Sequence, residues 1–188
     1  MKRGGGHIAV IAPASAEGTR AHPNARLSIA FRSVNRRDCA GYDPTLQRHH
    51  LLPRQLLSRP SFAAMLSKVG RNAVGFDDFR VNGLLLPATE AAALRTGMPL
   101  HRGPHRHYNE LVIERVGRIE QSWSQTRLND PEAAMAEALM RLQLLQSALR
   151  RRLLSEHRRL VLNRKDPLGT GFDFTELDAM AEALWDAT

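Results

Sequence analysis

Cysteine is nearly absent: Cys39 is the only one in 188 residues. That excludes an intramolecular disulfide and a zinc site built from cysteines alone. Long apolar runs are missing as well. None approaches the roughly 20 residues that cross a bilayer, and a hydrophobic content of 43% is that of an ordinary globular protein. Lysine is scarce, with only Lys2, Lys68 and Lys165 among 27 basic residues. From Asp166 onward there is no Lys or Arg at all, while Asp166, Asp173, Glu176, Asp178, Glu182 and Asp186 give that tail a charge of −6. Residues 1–165 therefore hold all 27 basic residues against 13 acidic ones, a charge of +14. Arginine suits planar, bidentate contacts to phosphate, so the charge implies a polyanionic partner. A GC-rich coding sequence would also favour arginine over lysine, and charge alone does not define a function.

The first residues, MKRGGGHIAVIAPASA, loosely imitate a signal peptide. The apolar part, Ile8 to Pro13, is shorter than the about 7–15 residues an export signal wants, and three glycines precede it. A cytoplasmic location is the expectation, with secretion second.

Three regions are expected: an irregular basic segment over 1–44, a core over 45–127, and C-terminal helices over 128–188. Gly4–Gly6, Pro13, Pro23 and Pro44 break up the first, apart from a short element around Leu27–Val34. In the second, Ser58 or Ser61 would cap a short helix that Gly70 ends. Asn82-Gly83 would make a tight turn between Val81 and Leu84–Leu86. Pro87 and Thr89 lead into a helical piece broken at Gly97 and Pro99. Pro104 suits a first helical turn, placing His105 in that turn. Val112, Val116, Ile119 and Trp123 then form one apolar face. In the third region, Asn129 or Asp130 caps a long helix with the stripe Met135, Leu139, Leu142, Leu145, Leu149 and Leu153. Asp166–Gly171 reads as a linker, and a last amphipathic helix carries Phe174, Leu177, Ala181 and Leu184.

The chemistry concentrates in one ordered constellation: His49-His50 in LQRHHLLP, Asn82 in VNGLLLP, then His101 and His105 in LHRGPHRHYN. Each part alone is ordinary, since an adjacent pair of histidines is usually a surface pair and Asn-Gly usually just a turn. Together they suit phosphodiester hydrolysis. A neutral imidazole can take a proton from water near neutral pH, and a cation can neutralise charge growing on the phosphate. Neighbours on a strand point to opposite faces, so a twist or bulge at the strand end would bring His49 and His50 to one cleft. His101 and His105 are the obvious further ligands. Asn109, one turn beyond His105, is a spare ligand or phosphate contact. His107 reads as a surface or phosphate-facing residue, and His7, His22 and His157 as solvent-exposed.

This arrangement resembles the ββα-metal, or HNH/endonuclease VII, superfamily, and within it the AHH family of nuclease domains often found as toxin tips. The elements that carry the likeness are His49-His50 with Pro53, then Asn82-Gly83 with Pro87, then His101, His105, Tyr108 and Asn109, spanning about residues 45–120. Arg48 stands where the family's name has alanine. The resemblance implies an α+β fold, a short β-hairpin plus helix embedded in a mostly helical protein. It implies a metal-dependent endonuclease with His50 as general base, His49, His101 and His105 as ligands of one divalent ion, and Asn82 holding the hairpin loop and orienting His50 through a carbonyl. Imidazoles favour zinc, nickel or manganese, whereas magnesium prefers oxygens. Arg48, Arg54, Arg102 and Arg106 would position the phosphate backbone of DNA, with RNA left open.

Two other readings compete. A non-catalytic nucleic-acid-binding module would use the histidines for a structural zinc, with His50 as fourth ligand. An interaction protein would depend on its C-terminal helices, the acidic last one folding over the basic groove. Besides nucleic acid, the expected partners are an immunity protein if the chain acts as a toxin, and a second copy docked through the 131–160 helix.

Overall fold

The computed structural model describes residues 27–156, 160–163 and 165–168. The expected last helix, residues 1–26, and His157 lie outside the described residues.

Two strands, β1 (Leu46–His50) and β2 (Gly83–Pro87), pair antiparallel. Their register is unbroken from Leu46 opposite Pro87 to His50 opposite Gly83. Helices α1 (Pro60–Val69), α2 (Arg71–Val74) and α3 (Phe79–Asn82) lie between the strands; α4 (Glu90–Thr96), α5 (Arg106–Thr126) and α6 (Pro131–Leu154) follow. The expected α+β class holds: a small two-stranded ribbon within a mostly helical protein. Among the described residues no helix is long and apolar enough to cross a membrane.

Local chemistry explains most boundaries. Thr89 caps α4, its side chain accepting from Ala92 N, and Gly97 ends the helix in the left-handed region at φ 65°. Asp130 caps α6 by accepting from Ala133 N, with Pro131 in the first turn. Gly70, at φ 93°, stops α1 as expected.

Four local expectations are corrected. Neither Ser58 nor Ser61 caps α1: Arg59 precedes Pro60 without a side-chain cap, and the Ser58 hydroxyl donates to Gln55 O instead. Asn82-Gly83 is not a tight turn. Asn82 ends a single helical turn capped by Asp78, and Gly83 opens β2 with extended backbone. Glycine is needed there for close approach, since a Cβ would lie 2.3 Å from the Phe79 ring. Helix α5 begins at Arg106, so His105 is its N-cap rather than a first-turn residue, and its carbonyl accepts from Asn109 N at 2.9 Å. Finally, Met135 is 40% exposed. Ala134 and Ala138 face inward in its place, one position round the helix, in phase with Leu142, Leu145 and Leu149.

The core draws on residues from Leu51 to Leu162. Tyr108, Val112, Val116, Ile119 and Trp123 of α5 pack with Leu142, Leu149 and Leu153 of α6, with Phe62, Met65 and Leu66 of α1, and with Leu84 and Leu86 of β2. Each such side chain, fully buried, contributes about 1.5–3 kcal/mol. Helix α5 is thus the fixed wall against which one face of the ribbon is held.

Candidate metal centre and active site

The pleat of β1 separates the two adjacent histidines. His49 is buried and faces α5, where its ring lies edge-on to Tyr108 with centroids 4.8 Å apart. The Tyr108 hydroxyl donates to Leu51 O at 2.7 Å, tying α5 to the end of the strand. His101 and His105 come from the loop between α4 and α5. The loop is tied to the ribbon by His101 N donating to Pro87 O at 2.6 Å. Ring centroids of His49 lie 5.0 Å from His101 and 5.8 Å from His105, and those of His101 and His105 are 4.3 Å apart. One ligating nitrogen from each falls within 4.8 Å of the others.

The donor set fits a divalent cation. His49 Nε2 is buried without a hydrogen-bond partner among the described residues, a costly state for a polar atom unless something else satisfies it. His101 Nδ1 lies 3.2 Å from Gln47 Oε1 and His105 Nδ1 lies 3.4 Å from Leu162 O. Both partners can only accept, so the protons sit on Nδ1 and the lone pairs on Nε2 remain free. An outer hydrogen bond of this kind commonly fixes the tautomer of a metal-binding histidine.

The electrostatics agree. Burial, and then the neighbouring His101, His105 and His50, hold His49 well below the usual histidine value. Burial and then His105 push His101 down to about 4. Burial lowers His105, opposed by the Leu162 carbonyl. All three are neutral near pH 7, the form that ligates metal.

His50 sits apart. Its ring stacks on Phe31, with centroids 3.7 Å apart and planes within 2°. Phe31 belongs to a short 3₁₀ turn, Phe31–Ser33, which is anchored because Phe79 N donates to Ile29 O and Ile29 N to Asp78 Oδ1. Burial and then Arg54 push His50 down to about 4. No hydrogen bond holds its imidazole among the described residues, and it is not one of the three clustered rings. The expected bulge is absent. The ladder is regular through His50, the last residue of β1, and the two side chains leave it on opposite faces, yet His50 stays near enough to act electrostatically on both His49 and His101.

Asn82 is wholly buried. Its Oδ1 accepts from Leu52 N at 2.7 Å and from Gln146 Nε2 at 3.2 Å, while Nδ2 donates to Leu52 O and Phe76 O. It therefore pins the chain just after His50, and not the His50 ring, to β2 and α6. Asn109 stands outside the histidine cluster and donates to Gln55 Oε1. Arg48 donates to Phe31 O and is exposed, as are Arg54, Arg102 and Arg106. His107 lies 3.6 Å from Glu110, away from the cluster.

Sequence reasoning missed Gln47, Phe31 and the segment after α6. Leu160, Val161 and Leu162 are buried there, Asn163 Nδ2 donates to Arg102 O, and buried Asp166 accepts from Leu100 N at 2.9 Å. Asp166 is thus no linker residue. It locks the start of the loop that carries His101 and His105. A lone acid at the head of an acidic tail carries no signal of that role.

A short antiparallel ribbon laid on a helix, with histidines from the strand and the helix entry converging between them, is consistent with a small ββα core in a mostly helical protein. The chain belongs to the AHH family, a nuclease family of the HNH/ENDO VII superfamily with conserved AHH, whose model matches residues 31–149. Neither a curated protein nor a solved structure matches the chain. The family makes the protein a nuclease, and hence one that acts on nucleic acid.

Proposed function

We propose that the protein is a metal-dependent endonuclease that hydrolyses phosphodiester bonds of DNA. His49, His101 and His105 hold one divalent ion, and His50 is the general base. The observation that carries this reading is the division of labour on β1: three imidazoles converge, with one buried nitrogen unsatisfied, while the fourth stays outside the cluster. A structural site would close with four protein ligands, whereas a catalytic site keeps a position open.

A bound ion would supply Lewis-acid stabilisation of charge on the phosphate and the leaving oxygen. His50, neutral at working pH, accepts a proton from the attacking water. The water oxygen bonds to phosphorus as the bond to the 3′ oxygen breaks, leaving a 5′-phosphate and, after proton uptake from solvent, a 3′-hydroxyl. Phe31 limits the rotation of the His50 ring. Arg48, Arg54, Arg102 and Arg106 orient the phosphate backbone, and Asn109 stands by as a further contact. Asn82 is a positioning residue, because it is wholly buried and meets no reacting group.

The test is nicking of supercoiled plasmid by the purified protein in EDTA, then with Mg²⁺, Mn²⁺, Ni²⁺ or Zn²⁺, beside His50→Ala. Metal should restore cleavage to wild type only. If wild type stays inert with every metal on DNA and RNA, yet zinc binds and raises Tm, the histidines are scaffolding and the binding-module reading replaces this one.

A further inference from the structure

The segment before β1 has little secondary structure, but it is not loose. Asn35, held at φ 48°, donates to Asp43 O and Leu46 O and accepts from Asp43 N. Asp43 in turn accepts from the Thr45 amide and hydroxyl. These bonds fold the segment into the outer wall of a cleft of about 750 Å³, with β1 as the other wall.

The lining is cationic: Arg32, Arg36, Arg37 and Arg48, with Tyr42 and Gln47 beside them. Among the described residues Asp38 is the one acid in the lining, and it pairs with Arg36. Arg48 is directed by the Phe31 carbonyl. Arg32 and Arg37 are exposed and make no ion pair among the described residues. Gln47 both lines the cleft and hydrogen-bonds His101, so the cleft opens beside the metal centre. Guanidinium groups gathered without carboxylate partners raise a positive potential that a polyanion lowers, and a preformed wall spares the cost of ordering a loop on binding.

We infer that this cleft holds backbone phosphates of the nucleic-acid strand next to the scissile bond, with Arg32 and Arg37 as its principal contacts. The inference rests on the nuclease reading and extends it, giving a binding role to a segment that carries none of the histidines.

The experiment measures binding of a fluorescent 20-base-pair DNA duplex, and of its single strand, at several salt concentrations in EDTA. The proteins are wild type, Arg32→Gln, Arg37→Gln, the double variant, and Arg127→Gln. The last is a control near the far end of α5, about 30 Å along the helix from His105. Each cleft arginine should reduce the slope of log K against log salt by about 0.9 on duplex and about 0.7 on single strand. Arg127→Gln should leave it unchanged. Zinc titration and Tm should match wild type in the Arg32 and Arg37 variants, because neither cleft side chain is buried. A double variant with the wild-type slope, or one matched by Arg127→Gln, overturns the cleft. A wild type that binds neither the duplex nor the single strand removes the DNA-endonuclease reading itself, which is a different result.

Discussion

The two faces of the β1–β2 ribbon give adjacent, chemically identical side chains different surroundings. On one face His49 is sealed against α5, with Tyr108 at its edge and two more imidazoles opposite. On the other face His50 is half-buried, stacked on Phe31 and near Arg54. Alternation along a strand is enough to produce the split. What the fold adds is a different neighbour for each face: a long helix behind one, an N-terminal turn over the other. Two histidines in succession therefore meet two different environments only because this ribbon is covered on both sides by unlike partners.

Exchanging the roles gives the largest effect. His50→Ala should lower cleavage by about 10³-fold, within the usual contribution of a general base, while zinc affinity by calorimetric titration stays at the wild-type value. His49→Ala should lose cleavage and zinc affinity together. If His50→Ala weakens zinc as much as His49→Ala does, both rings serve one centre and the division between the faces is wrong.

Asn82 joins the ribbon to the helical layer, and its removal is next in size. Asn82→Ala strands Leu52 N, Leu52 O, Phe76 O and Gln146 Nε2 in a buried site. At about 1–3 kcal/mol for each buried group left unsatisfied, with some relaxation, a loss of about 3 kcal/mol in urea unfolding is expected. A loss under about 1 kcal/mol would show that the network does not hold β1 to β2.

These partners also mark how far the sequence could be read. Helix α6 was legible from Asp130-Pro131 and its leucines, because capping and periodicity are local signals. The triad His49, His101 and His105 was legible through order and motif. Gln47 and Asp166 were not. Each acts through one hydrogen bond to a residue more than 50 positions away, Gln47 to His101 and Asp166 to Leu100, and an exposed glutamine or a tail aspartate has no spacing that reveals it. Asn82-Gly83 misled for a related reason. The dipeptide favours a turn locally, but tertiary bonds to Leu52 and Phe76 hold Asn82 in a helical conformation, and the Phe79 ring demands the glycine. The segment before β1 looked irregular because its order comes from the Asn35 and Asp43 bonds instead of a repeating pattern.

Gln47 offers the smallest and most selective test of the His49 face. Its Oε1 accepts from His101 Nδ1 at 3.2 Å, near the surface, so the bond fixes a tautomer without supporting the core. Gln47→Leu should leave Tm nearly unchanged and weaken zinc about ten-fold, the low end for loss of a partner behind a ligand. Gln47→Glu should restore the affinity, because a carboxylate accepts the same proton and strengthens the ligand. The two variants separate orientation from bulk: leucine fills a similar volume, and only glutamate keeps the acceptor. Equal zinc affinity in all three proteins would mean that the backbone tie from His101 N to Pro87 O sets the ring without help, and that the His49 face is shaped by its packing alone.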